Sequence, residues 1–387
     1  MPMKRLNLLN GICVCIISSW YPCSENPLYG IFVHQFAKRI HRVGANVFVI
    51  TTTKNKQNKE FEKMDGISIF RIGSCFSIFY NPYKLLILYK MLRRADVVNI
   101  HAIDILGAIL ELIAKLMKKP IVITVHRADV LPTNSLLFNL LRGIALKIAN
   151  VIIAVSYATK DLAVKIGAPK DKVVVVYNTV EESIFFPRPK PLCRIKLGIP
   201  QNSKVILSVG NLIPRKGFIY LIRAMPIILN KIPDALMIII GDGPEKNLLS
   251  YLVRRLKLED KVILTGKVST DDLCLYYGAA DVFVLPSLHE GHAMVLLEAM
   301  ASGLPVVATK VGGNVETVLH NKNGYLIPPK NVNQLADAII NILIDKNRIR
   351  KFRDESIRIY REKFSEEKQI CKIAKIYSIA INYRIYL

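Results

Sequence analysis

The chain has 387 residues, 51% of them apolar, with 54 Lys and Arg against 30 Asp and Glu for a net charge of +24. That length exceeds one ordinary core and suits two domains of roughly 200 residues each, and 22% charged residues argue against a disordered chain. The mean hydropathy of +0.30 raises the question of a membrane span, but the richest stretch, 102–117, carries Asp104, Glu111 and Lys115, a spacing that puts all three on one face of a surface helix.

Lys4 and Arg5 ahead of the apolar stretch 6–17 copy the start of a signal peptide. No small-residue cleavage site follows and an α/β pattern continues, so 12–18 is read as a first buried strand. Strands rich in Val and Ile follow at 46–51, 97–100, 121–125 and 151–155, with amphipathic helices at 31–43 and 136–148. Pro187, Pro189 and Pro191 alternate with Arg188 and Lys190, a pattern read as neither helix nor central strand and so as a linker. Strand signals resume at 205–209, 235–240, 262–265, 282–285 and 306–309, with Pro305 at a strand start that tolerates proline. Beyond Asp345 the chain turns helical and basic. The pattern predicts an α/β protein with two parallel-sheet domains, helices covering both faces of each sheet. The domains are placed at 1–186 and 200–367, joined by a linker at 187–199.

Residues 1–196 hold 28 Lys and Arg against 12 Asp and Glu, and the remainder 26 against 18. Such a balance favours anionic partners, whether nucleic acid, lipid headgroups or phosphorylated small molecules, unless it is plain surface solvation. The basic residues are not interleaved with an aromatic stacking platform, so no nucleic-acid partner is predicted. Seven scattered cysteines (Cys13, Cys15, Cys23, Cys75, Cys193, Cys274, Cys371) form no CxxC pair, which predicts thiols in a reducing, cytoplasmic compartment. No Asp-x-Asp and no His/Cys cluster is present, so no metal or other cofactor is predicted.

The strongest chemical signal is Pro286-Ser287-Leu288-His289-Glu290-Gly291-His292-Ala293-Met294-Val295-Leu296-Leu297-Glu298. Strand, glycine-containing loop, then helix is a geometry that turns backbone N–H groups toward an anion. Glu290 falls in the loop and Glu298 about one turn into the helix. A carboxylate at such a place can accept from a ribose diol. Alone, Glu290 reads as a loop surface charge and Glu298 as a solvated helix residue.

The Glu-x7-Glu pattern, followed by Ala299-Met300-Ala301-Ser302-Gly303-Leu304-Pro305, is similar to retaining glycosyltransferases of family 4, which have the GT-B fold of two Rossmann-like domains facing a central cleft. The resemblance extends over nearly the whole chain. It includes Gly210-Asn211-Leu212-Ile213-Pro214-Arg215-Lys216-Gly217, Gly241-Asp242-Gly243-Pro244, Thr265-Gly266-Lys267-Val268, Gly312-Gly313 with Glu316, and Asn323-Gly324-Tyr325-Leu326. It implies a nucleotide-diphosphate-sugar donor in the C-terminal domain and an acceptor, whether glycan, lipid-linked or small molecule, in the N-terminal one. A final helix, about 368–387, would pack back on the first domain. Glu298 would hold the ribose, Glu290 the donor sugar, and the amides of Gly291, His292, Ala293, Met294 and Val295 the sugar and phosphate. Gly266, Lys267 and Val268 would border the base, and Lys216 would neutralise the leaving diphosphate. In the C-terminal half three positions depart from the family's usual form. His292 replaces an aromatic residue, Ala293 a glycine that tolerates more conformations, and Asn211 an arginine, for which Arg215 is the candidate substitute.

In the N-terminal half, Trp20-Tyr21-Pro22 leaves the first strand and Gly30 precedes the first helix. By resemblance Gly30 lies over the donor phosphates; read alone it is also an ordinary turn glycine. His126 follows the strand 121–125, and strand ends are where open α/β sheets place ligands. The resemblance implies that it reaches the donor sugar near the reacting carbon. Arg127 stands where the family commonly has glycine, and His101 is read as structural. An epimerase on the same fold would need no acceptor, and an inert sensor would bind donor without transfer. Phe76, Ile78, Phe79, Tyr80 and Tyr83 beside Lys84, Lys90, Arg93 and Arg94 suit the surface of an anionic membrane, or else a core helix with a basic rim.

Overall fold

The structure is a computed structural model that describes residues 8–23, 26, 29–52, 59–73, 80–101, 103–131 and 135–382. It divides into two compact units, one of Met1–Tyr177 with Glu367–Leu387 and one of Asn178–Glu366.

The first unit is built on β1 (Cys13–Ile17), β2 (Asn46–Thr51), β3 (Phe61–Met64), β4 (Ile67–Arg71), β5 (Val97–His101), β6 (Ile121–Val125), β7 (Val151–Ala154) and β8 (Val173–Val175). Their order is β3-β4-β2-β1-β5-β6-β7-β8. All pairings are parallel except β3 against β4, so the sheet carries one antiparallel edge strand that the alternating pattern did not announce. Helices Pro82–Arg94, Ile105–Leu116, Leu136–Ile148 and Tyr157–Lys165 lie over one face, burying Leu88, Leu92, Leu106, Leu110 and Leu146 against Ile100 and Ile123. The other face packs on Ile31–Arg42 and on the C-terminal helix Glu366–Asn382, whose Ile370, Ile373 and Tyr377 join Val14, Ile16 and Val49. Tyr377 Oη accepts from Asn99 Nδ2 at 2.7 Å, fixing the helix on β5.

One expectation is corrected in the helix Ile105–Leu116. Asp104 is its N-cap, accepting from Gly107 N at 2.9 Å, a favoured use of a short carboxylate. Glu111 is not on the solvent face; it is 2% exposed, and burial pushes its carboxyl up to about 8.

The second unit carries β9 (Lys204–Val209), β10 (Ala235–Ile240), β11 (Val262–Gly266), β12 (Val282–Leu285), β13 (Val306–Thr309) and β14 (Gly324–Ile327), all parallel, in the order β11-β10-β9-β12-β13-β14. The stretch read as linker is a second correction. Lys190–Leu197 is a helix with a proline at its first positions, closed by Gly198 at φ 66. Proline at the start of a helix removes only an amide that had no partner there. The helix belongs to the second unit, where Arg194 Nη2 donates to Asp281 Oδ2 at 2.8 Å.

Candidate functional site

In the second unit the strand order reverses direction between β9 and β12, whose connections run to opposite sides. At such a point the loops after the two strands diverge and leave a crevice for ligand. Those loops are the two that the motifs occupy. The first turns through Pro214–Lys216 to Gly217, at φ 68, where a Cβ would stand 2.3 Å from the Pro286 carbonyl oxygen. Only glycine allows that approach. Leu288 N closes the loops together by donating to Arg215 O at 2.7 Å.

The charged groups meet above this junction. Lys216 Nζ donates to Glu290 Oε1 at 2.6 Å, and Ser287 Oγ donates to the same oxygen at 2.7 Å. Arg215 Nη1 stands 3.8 Å from Glu290 Oε2, its side chain half exposed. Glu290 and Lys216 are buried. The second loop is held from beneath: Gly313 N donates to Gly291 O at 3.0 Å, and Asn178 Nδ2 to His292 O at 3.1 Å.

The helix Met294–Ala301 follows, with Ala293 at its N-cap and no side chain capping its first amides. Ala293 has φ −75 and ψ 113, ordinary extended backbone, so the missing glycine entails no strain. His292 is buried against Phe364, ring centroids 5.4 Å apart, and burial pushes its imidazole down to about 3. A ring held neutral in this way fills space and is unsuited to take a proton from an acceptor. Glu298 accepts from the buried Tyr277 hydroxyl at 2.8 Å, and burial raises its carboxyl to about 7.

Gly266 ends the edge strand β11 at φ 76, with open space where a Cβ would be. Lys267 is exposed and Val268 half-buried. Among the described residues, no hydrogen bond or ion pair joins Asn211, Lys267 or Val268 to the Lys216–Glu290 pair. Ser287 and Tyr277 had no role in the sequence reading. Ser287 was visible inside the motif, whereas Tyr277 carries no spacing signal.

In the first unit, Gly30 is explained by its own chain. At φ 67 its Cβ would lie 2.2 Å from the Trp20 carbonyl oxygen, so the tight crossing of two backbone segments requires glycine without any ligand. His126, just after β6, and His101, the last residue of the adjacent β5, stack at 5.8 Å, with Phe32 and Phe36 edge-on at 4.6 and 4.7 Å. His126 N donates to Asp129 Oδ2 at 2.7 Å, while burial pushes the His126 ring down to about 4. Burial, and His126 beside it, hold His101 well below the usual imidazole range. His126 Nε2 and both ring nitrogens of His101 have no hydrogen-bond partner among the described residues.

Comparison with known proteins agrees with this architecture. Residues 190–359 match Glycosyl transferases group 1, and residues 30–183 match Glycosyltransferase Family 4. The N-acetyl-alpha-D-glucosaminyl L-malate synthase of Bacillus anthracis is 31% identical over 78% of this chain and 81% of its own length. The UDP-Gal:alpha-D-GlcNAc-diphosphoundecaprenol alpha-1,3-galactosyltransferase of Escherichia coli is 31% identical over 70% of this chain and 72% of its own. Among solved structures, sucrose-phosphate synthase from Thermosynechococcus elongatus superposes with a TM-score of 0.78 at 21% identity, covering 95% of this chain and 98% of that one.

Proposed function

Since the chain belongs to glycosyltransferase family 4, with the GT-B fold, we propose that it moves a hexose from a nucleotide-diphosphate sugar to a glycan, lipid-linked or small-molecule acceptor with retention of configuration. The observation that carries this reading is the buried Lys216–Glu290 pair on the two loops of the β9/β12 switch point. A cation fixed there suits a departing diphosphate, whose negative charge grows as the bond to the sugar breaks. Arg215 and the first amides of Met294–Ala301 add to that stabilisation. Glu290 is assigned to the sugar hydroxyls, Glu298 to the ribose diol, and Gly266, Lys267 and Val268 to the rim around the base. His126 is assigned to the sugar near the reacting carbon, as a neutral hydrogen-bonding group. The acceptor oxygen attacks on the face the diphosphate leaves, and no protein nucleophile is assigned. The Escherichia coli relative's name specifies UDP-Gal and a diphosphoundecaprenol-linked acceptor, which supports a nucleotide-sugar donor and a lipid-linked acceptor here, whereas the Bacillus anthracis relative's name specifies L-malate and supports a small-molecule acceptor instead.

A thermal-shift screen of UDP-, GDP- and ADP-sugars tests the donor assignment, since a ligand of the folded state raises the melting temperature by mass action. One donor should stand out and should be consumed when acceptor is supplied. A donor that binds but is neither transferred nor hydrolysed would make the chain a sensor.

The acceptor class carries a second assignment, contact of the first unit with an anionic membrane. Helix Pro82–Arg94 buries only Leu88 and Leu92, while Tyr80, Tyr83 and Leu86 are 88%, 63% and 49% exposed. The helix therefore packs its inner side on the sheet core, with Ile87 and Met91 half-buried there, and its exposed outer side supports an interfacial contact. Phe76, Ile78 and Phe79 lie outside the described residues. No described helix is long and apolar enough to cross a membrane. Salt-sensitive co-flotation with anionic liposomes is expected, and its absence would refute the contact.

A further inference from the structure

We propose that a recess in the first unit, away from the loops that carry the histidines, binds one molecule of an anionic single-chain amphiphile, its hydrocarbon inside and its phosphate or carboxylate at the rim. The recess holds about 1050 Å³ and lies between helix Pro82–Arg94 and the sheet edge. Phe48 and Phe70 come from the neighbouring strands β2 and β4, and Phe61 of β3 stacks on Phe70 at 4.6 Å. Ile87 and Met91 of the helix form the facing wall. Lys90, Arg93 and Arg94, all exposed, line the same recess.

Charge decides the class of occupant. Among the described residues these three cations have no ion-pair partner. The acidic side chain lining the recess, Glu62, is taken by the Arg71 guanidinium. A neutral sugar could hydrogen-bond Asn46 and Ser68 of the lining, but it would leave the three cations unmatched and would not fill the aromatic and aliphatic part of the walls. A small inorganic anion would leave those walls unfilled. Apolar walls of Phe48, Phe61, Ile87 and Met91 beside three cations suit a chain with a charged head. Cys13 and Asn46, the first residues of β1 and β2, also line the recess, so it includes the strand starts, whereas His101 ends β5. The site therefore does not depend on the transfer reaction proposed above.

Calorimetric titration of the full chain with decyl phosphate, below its micelle concentration, tests this. One-to-one binding is expected, tightening about fourfold per added methylene up to dodecyl phosphate, as burial of each CH2 predicts. Inorganic phosphate alone should show no saturable binding, and decyl maltoside should bind at least about tenfold more weakly because its neutral head offers the rim cations no charge. Met91→Trp, which fills the recess, and Arg93→Glu, an exposed change that spares the core, should each weaken decyl phosphate about tenfold or more. Unchanged affinity in Arg93→Glu, phosphate binding as tight as decyl phosphate, or vesicle binding without one-to-one binding of the monomeric amphiphile would each overturn the proposal.

Discussion

Replacing Lys216 by methionine should lower the stability of the second unit more than removing both members of its ion pair. Glu290 is 5% exposed, and its Oε1 accepts from Lys216 Nζ at 2.6 Å and Ser287 Oγ at 2.7 Å. Taking one partner from a buried pair leaves an uncompensated charge and costs about 3–5 kcal/mol. Ser287 stays in place and Arg215 stands 3.8 Å away with its side chain 51% exposed, so part of the compensation survives and the expected loss is about 2–4 kcal/mol. For a unit of this size that corresponds to roughly 4–16 °C in melting temperature. In Lys216→Met/Glu290→Gln the amide keeps an oxygen for Ser287 and no charge is stranded, so stability should return to within about 1 kcal/mol of wild type. Scanning calorimetry is the appropriate assay because the one tryptophan, Trp20, belongs to the other unit and reports poorly on this one. If Lys216→Met melts like wild type, or the double variant is as unstable as the single, then the pair is not a buried, coupled contact. The electrostatic argument for the diphosphate would lose its anchor.

Glu298→Ala should weaken donor binding in calorimetry, whereas Glu290→Ala should reduce turnover more than affinity. With its carboxyl raised to about 7 by burial, Glu298 ionises as pH rises through neutrality. Donor affinity should rise across that range in wild type and stay flat in Glu298→Gln. Arg215→Ala should cost roughly 1.5–3 kcal/mol in kcat/KM, and Asn211→Arg should partly restore it; wild-type turnover in Arg215→Ala would show that Lys216 and the loop amides hold the diphosphate alone. Gly30→Ala, forced into φ 67 against the Trp20 carbonyl, should destabilise the first unit by about 1–3 kcal/mol, read in urea unfolding followed by Trp20 fluorescence. Glu111 and Asp129, raised to about 8 and about 7 by burial, keep their protons in the folded state after the unfolded chain has released them. Below about 6.5 the buried neutral His101 and His126 oppose this, because the unfolded chain protonates them, so stability of the first unit should fall as pH rises from about 6.5 to 8, and Glu111→Gln should flatten that slope.

How far such features can be read without coordinates depends on what kind of pattern encodes them. Strands buried on both faces, such as β6, β12 and β13, announce themselves as Val and Ile runs, and their ends are found where the runs end. Edge strands do not: Phe61–Met64 alternates exposed and half-buried residues, and Val173–Val175 is three residues long. Pro189 and Pro191 misled for a different reason, since proline opposes a helix interior but suits a helix start. The site divides along the same line. Glu290, Ser287 and Glu298 lie within one motif, so their chemistry is visible as spacing. The partner of Glu290, Lys216, is 74 residues away, and that of Glu298, Tyr277, lies 21 residues earlier. What joins Lys216 to Glu290 is the pairing of β9 with β12, which skips two intervening strands. Periodicity can show that these strands exist, but not which of them are neighbours. The rule that ligand loops gather where strand order reverses becomes usable only when that adjacency is known, and it then locates both charged loops at one junction.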